Sequence, residues 1–380
     1  MVAKIKRQIG SLSLLAKLGL LLLTLLLLLA AILLLVFLLP RHHRRPLPPG
    51  SPPANGSDPD NIVAFDFSPY LILYKSGRVH RMDGTDRVPA GVDEGTGVKS
   101  KDVVIDRGTG LSARMYLPPP AKGGDKNKDL GALPVLVFFH GGAFVIESAF
   151  TAKYHDYLNK VTAKAGVVAV SVDSRLAPEH PVPTAYDDSW QALNWVARNG
   201  KSGPEPWLRD RGNMSRLFLA GDSAGGNIAH DMAMRAGKEG GLEGGVAITG
   251  ILLLDPYFWG KNPVGAETTD PAVRRKYEAT WAFICDNKYS IDDPLVNPLS
   301  MPAPELRKLA CSRVAVTVSD LDIFKERAAA YAAALRDSGW AGEVEQYETA
   351  GENHVYFLDK PSSPKSAKEL TFVAGYLSRE

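Results

Sequence analysis

The sequence predicts an α/β protein with a mostly parallel central sheet and helices on both of its faces. Three observations predict it. Short runs rich in β-branched residues and leucine recur at 135–139, 167–172, 217–220, 251–254, 314–318 and 344–347, and apolar runs without alternation mark strands buried on both faces. Helical stretches separate or follow them, at 151–165, 185–199, 224–236, 326–338 and 365–378, and strand alternating with helix winds a parallel sheet. Ahead of this series, 101–105 and 111–117 flank the turn residues Gly108-Thr109-Gly110, which predicts a hairpin.

Read in order, the chain opens with a basic segment, 1–17. Residues 18–39 then carry no charge and are mostly leucine, bounded by Lys17 and by Arg41-His42-His43-Arg44-Arg45. A helix of about 20 such residues crosses a bilayer core. A cleaved signal has an apolar stretch of about 7–15 residues and a small-residue cleavage site. Ala30-Ala31 is followed by more leucine, so the run predicts one uncleaved transmembrane helix and a single-pass protein, placed in an endomembrane. Lys4, Lys6, Arg7 and Lys17 on one side against Arg41, Arg44 and Arg45 on the other lean toward a cytosolic N-terminus and a lumenal domain. Asn55 and Asn213 each open an Asn-X-Ser sequon.

A Pro/Gly/Ser-rich linker, 40–60, leads into one large domain, 61–380. Residues 62–74 are apolar and aromatic but too irregular for a strand assignment. Residues 257–309 hold many prolines and no strand pattern. The two segments 61–100 and 257–309 are expected to form a lid or cap over a pocket.

Composition narrows the function. Of 380 residues, 45% are hydrophobic and 23% charged, with a formal net charge of +2. No basic stripe marks the domain, which argues against a nucleic-acid partner. Cys285 and Cys311 fit no metal-ligand spacing and read as small core residues. No metal or other cofactor is called for; the oligomeric state is left open.

The chemistry starts at 216–220, a strand running into Gly221-Asp222-Ser223-Ala224-Gly225-Gly226 and then a helix. Strand, G-x-S-x-G turn and helix together make a nucleophile elbow, with Ser223 as the nucleophile. Upstream, 135–139 ends in His140-Gly141-Gly142-Ala143-Phe144, an H-G-G oxyanion loop. Its Gly141 and Gly142 N–H groups, with that of Ala224, are the expected oxyanion donors; His140 reads as structural. The base must follow Ser223, which leaves His230 and His354. His230 shares the nucleophile's own helix, whereas His354 lies in the loop after the last strand. The orienting acid belongs after 314–318, where Ser319-Asp320-Leu321-Asp322-Ile323 offers two carboxylates. Asp322, deeper in the loop, is preferred; Asp320 is the alternative. Two motifs on their proper strands predict the α/β-hydrolase fold.

From about Asn61 to Leu377 the sequence resembles the plant carboxylesterase family, related to hormone-sensitive lipase. The resemblance rests on Tyr74-Lys-Ser-Gly-Arg78, Gly97-Val-Lys-Ser-Lys-Asp-Val103, His140-Gly-Gly, Ser174-Arg-Leu-Ala-Pro-Glu-His-Pro181, Ala185-Tyr-Asp-Asp188, Gly221-Asp-Ser-Ala-Gly-Gly-Asn227 and His354. Tyrosine usually stands in the family at Ser174, and a leucine-rich anchor is unusual there. The resemblance implies hydrolysis of small or medium carboxylic esters through an acyl-enzyme. It also supplies rivals: gibberellin receptors, which have lost the histidine, and 2-hydroxyisoflavanone dehydratases, in which threonine often replaces the serine. This chain keeps both Ser223 and His354, which favours the esterase.

Overall fold

The six apolar runs from 135–139 to 344–347, with the two hairpin segments before them, become the strands β4 (Lys99–Val104), β5 (Ser112–Leu117), β6 (Leu133–Phe139), β7 (Val168–Asp173), β8 (Gly212–Asp222), β9 (Ile248–Leu254), β10 (Arg313–Ser319) and β11 (Glu343–Thr349). They form one eight-stranded sheet in the order β11-β10-β9-β8-β6-β7-β5-β4. Pairing is parallel from β7 through β11. It turns antiparallel at β5–β7 and in the β4–β5 hairpin. The computed structural model describes residues 58–120 and 132–379. The expected membrane helix 18–39, the basic segment before it, nearly all of the linker and the Asn55 sequon lie outside the described residues. Among those described, no helix is long and apolar enough to cross a membrane.

The central strands explain their own composition. Val135, Val137 and Phe139 of β6 enter one apolar cluster while Leu136 and Phe138 enter the other. In β8, Leu217 and Leu219 part from Phe218 and Ala220; in β9, Ile251 and Leu253 part from Leu252 and Leu254. Both faces are covered, so these central positions are apolar on either side. The edges read differently: β4 carries Lys99, Lys101 and Asp102, and β11 carries Glu343, Glu345 and Glu348, charges that discourage further strand pairing.

The covering helices are α1 (Ala152–Ala165), α2 (Thr184–Lys201), α3 (Ala224–Glu239), α4 (Pro271–Ile284), α5 (Lys325–Asp337) and α6 (Pro364–Ser378). One feature departs from expectation. Residues 63–81, left without a strand, form a small antiparallel sheet of β1 (Val63–Phe67), β2 (Leu71–Tyr74) and β3 (Val79–Arg81). Its strands are short and largely solvent-facing, so neither unbroken burial nor clean alternation marked them. Within 257–309 no strand forms, as expected, but α4 does, started by Asp270, which accepts from the Ala272 N–H, with Pro271 in the first turn. Phe65 of β1 stacks on Phe283 of α4, centroids 4.0 Å apart, joining the two segments above the C-terminal ends of the strands.

Candidate active site

Three side chains from three strand ends converge. Ser223 follows β8 and takes φ 52°, ψ −118°, a conformation costing a non-glycine residue about 1–3 kcal/mol. The neighbouring glycines make it possible. A Cβ on Gly225 would lie 1.9 Å from the Phe139 carbonyl oxygen, and one on Gly221 would lie 2.3 Å from the Gly225 carbonyl. His354, in the loop after β11, places Nε2 2.8 Å from Ser223 Oγ. Its Nδ1 lies 2.7 Å from Asp322 Oδ2, after β10. Asp322 Oδ1 accepts from the Phe324 N–H. Its side chain is 1% exposed.

The other carboxylate of that loop is elsewhere. Asp320 accepts from Lys325 Nζ at 2.8 Å and from the Gly351 N–H. Lys325 holds its pKa below the usual value. Of the two aspartates, Asp322 therefore meets His354. His230 is buried against Phe258 and Tyr331, and burial lowers its pKa to about 3. His140 is buried with Nδ1 2.8 Å from the Gly141 carbonyl oxygen. Cys285 and Cys311 are both free thiols, and burial pushes Cys311 up to about 12.

The oxyanion loop corrects one expectation. The Gly141 N–H donates to Tyr154 Oη at 2.8 Å and to Asp222 Oδ1 at 3.1 Å, so it is not free to meet a substrate oxygen. The cause is Asp222, buried beneath the elbow with its other oxygen taking the Tyr154 hydroxyl at 2.8 Å. A buried carboxylate must collect donors, and the Gly141 N–H is one of them, beside the Tyr154 hydroxyl. Burial still raises Asp222 to about 7, against the Tyr154 bond. The loop is thereby shifted by one residue: Gly142 and Ala143, at φ 93° and 51°, line the cavity in front of Ser223. Among the described residues no acceptor takes the N–H of Gly142, Ala143 or Ala224. Sequence reasoning missed Ala143, Tyr154 and Asp222. Asp222 stood in the motif itself, but its partner Tyr154 lies on α1, with no local signal.

The cavity holds about 490 Å³ and reaches Ser223, Asp322 and His354. Phe67, Tyr70, Tyr257, Tyr277 and Phe324 give it aromatic walls. Glu147 and Lys153, paired at 3.0 Å, add one polar wall. Phe67 comes from β1, Tyr70 from the turn after it and Tyr277 from α4. Asp255, Asp322 and His354 bring donor atoms within 4.8 Å of one another. Their lone pairs already serve N–H and O–H groups: Asp255 accepts from Ser319 and Val355, Asp322 from Phe324. The donor set is that of a hydrogen-bonded relay rather than an ion cage.

The protonation of His354 follows from its neighbours. Burial pulls its pKa down, but the Asp322 charge and hydrogen bond, with Asp255 and Asp222 beyond, outweigh that and raise it above 6.5. A neutral imidazole holding a proton on Nδ1 for Asp322 presents Nε2 as a base to Ser223.

Comparison with known proteins agrees with the fold and with ester hydrolysis. A family described as the alpha/beta hydrolase fold matches residues 136–358. Probable carboxylesterase 13 of Arabidopsis thaliana is 44% identical over 327 residues, covering 84% of this chain and 98% of its own. A 2-hydroxyisoflavanone dehydratase of Glycyrrhiza echinata is 40% identical, over 82% of this chain and 95% of its own. Among solved structures, a thermostable esterase from Pseudomonas putida is similar at TM-score 0.58 and 25% identity, covering 76% of this chain and 85% of its own.

Proposed function

Since the chain belongs to the plant carboxylesterase family of α/β hydrolases and is a carboxylic ester hydrolase, we propose that it cleaves esters through an acyl-enzyme on Ser223. His354 takes the Ser223 proton as the hydroxyl attacks the ester carbonyl, while Asp322 fixes the imidazole and stabilises its charged form. The N–H groups of Gly142, Ala143 and Ala224 receive the oxyanion. His354 then protonates the leaving alcohol and activates water for deacylation. The observation that carries this reading is the unbroken chain of contacts, 2.8 Å from Ser223 to His354 and 2.7 Å from His354 to Asp322, opening on one cavity.

The substrates in this proposal are small or medium esters. A cavity of about 490 Å³ is of the size that encloses a drug-sized molecule, and its aromatic walls favour an apolar or aromatic group beside the reacting carbonyl. The test is a panel of p-nitrophenyl esters of rising acyl length, with fluorophosphonate labelling. Wild type is expected to turn over the shorter esters and to be labelled at Ser223; Ser223→Ala is expected to fold, to lose turnover and to escape the label. Labelling elsewhere, or full activity in the variant, refutes the mechanism. The dehydratase among the relatives supplies the rival reading, and water elimination without ester cleavage in the same assays would favour it.

The location belongs to the proposal too. Residues 18–39 would remain in the mature protein as a single membrane-crossing helix, with 40–60 as a stiff proline-rich spacer.

A further inference from the structure

We propose that Asp255 is a positioning residue for His354, tying the histidine loop to the end of β10 and supplying a second negative charge behind the imidazole. The inference rests on the reading of Ser223, His354 and Asp322 as the hydrolytic machinery, and it adds a fourth residue that no motif marks. Asp255 follows β9 directly and is 1% exposed. Its Oδ1 accepts from the Ser319 N–H at 2.7 Å; its Oδ2 accepts from Ser319 Oγ at 2.7 Å and from the Val355 N–H at 2.8 Å. One carboxylate thus clamps the last residue of β10, three positions before Asp322, to the residue after His354.

Backbone geometry shows what the clamp holds. Val355 has φ 47° and Asp255 φ 43°. Aspartate tolerates the left-handed region, but a β-branched residue there is a true outlier. Such a conformation persists only when its surroundings impose it. The Val355 N–H bond to Asp255 is the contact that does so here, and it fixes the direction in which His354 leaves the backbone.

Charge gives the clamp a second effect. The groups facing His354 are Asp322 from the loop after β10, Asp255 from the end of β9, and Asp222 with Ser223 from the elbow; Phe324 covers the ring edge-on. Glu147, Lys153, Asp83, Asp359 and Lys276 line the same cavity. Asp255 has a donor atom within 4.8 Å of His354 and Asp322. Burial raises the Asp255 carboxyl to about 6, with His354 opposing, so above neutral pH it stands ionised, favouring imidazolium as the reaction proceeds.

The experiment is Asp255→Asn in the full-length protein, read by the pH dependence of kcat and KM on a p-nitrophenyl ester. Asp255 does not line the cavity, so kcat is expected to fall by about tenfold to a hundredfold, the scale of a misplaced catalytic group, while KM holds within about twofold. With one negative charge gone, imidazolium is less favoured. The acid limb of kcat/KM is then expected to move to lower pH by about one unit, the low end for a charge within about 4–6 Å. Ser319→Ala removes one donor that keeps Asp255 ionised. It is expected to move the limb the same way by less, and it carries the test if Asp255→Asn does not fold. A limb that stays in place in the folded variant, or a rise in KM with kcat unchanged, overturns the proposal. Wild type that fails to label at Ser223 overturns the underlying mechanism instead, so the two failures are distinguishable.

Discussion

Asp320 and Asp322 stand two residues apart in one loop and face different partners: Lys325 for the first, His354 for the second. Asp322→Asn is therefore expected to lower kcat by about 10⁴, as the matching change does in a serine protease. Asp320→Asn loses an exposed pairing with Lys325 and is expected to keep nearly all activity. Steady-state kinetics on both variants checks this; a reversal of the two effects refutes the assignment. The pH profile is a second residue-scale outcome. His354 must be neutral to act as base, and its neighbours raise its pKa above 6.5. Activity should therefore fall with decreasing pH, with the acid limb of kcat/KM above the range of an ordinary histidine; a limb below that range contradicts the balance of charges described. Ser223, His354 and the choice between the aspartates were legible because motif, chain order and strand ends constrain them. Among the expected oxyanion donors, the Gly141 N–H is held by Tyr154 and Asp222, a pair that meets across 68 positions of sequence and leaves no local signal.

Strands buried on both faces announce themselves by composition, so the series from β6 to β10 could be read directly, with ends off by a few residues. The small sheet β1–β3 could not, because its strands are short and largely solvent-facing, and the stacking of Phe65 on Phe283 of α4 joins residues far apart in sequence. The segment 257–309 shows a related limit. Its prolines predicted an irregular excursion, but what ties it down is invisible locally. Glu267 receives Arg327 of α5 at 2.8 Å through both carboxylate oxygens. Arg274 of α4 lies 3.5 Å away, and Arg327 also reaches the Asn262 carbonyl and Asn297. The Glu267 and Arg327 side chains are 0% and 1% exposed. Glu267→Ala is expected to lower stability by about 3–5 kcal/mol, since it leaves buried guanidinium groups without their counter-charge. Denaturant unfolding measures this, and a loss below about 1 kcal/mol would show that the segment is held by apolar contacts instead.

At the scale of the molecule, two kinds of apolar sequence coexist, and they make separate demands. The runs of the folded domain are satisfied by the core: among the described residues the large apolar side chains left exposed are few, among them Val63, Val92, Val104 and Leu321. Residues 18–39 have no polar face with which to join a water-soluble fold, and about 30 Å of hydrocarbon matches a helix of that length. The folded unit carries the whole proposed catalytic set, so attachment and activity should separate cleanly. Full-length protein is expected to stay with membranes through carbonate extraction and to be released by detergent. A version starting at residue 46 is expected to be recovered in the soluble fraction with unchanged kcat. Soluble full-length protein, or a mature N-terminus beyond residue 39, would overturn the anchor. Asn213 gives an internal check on orientation, because it sits half-exposed at the start of β8 with its side-chain oxygen turned to Ser215. With the domain in the lumen, it and Asn55 would both be open to glycosylation. A mobility shift on endoglycosidase treatment is the expected result if the catalytic domain is lumenal, as the slight excess of basic residues before the span predicts; no shift, with protease sensitivity in intact microsomes, would place it on the cytosolic face.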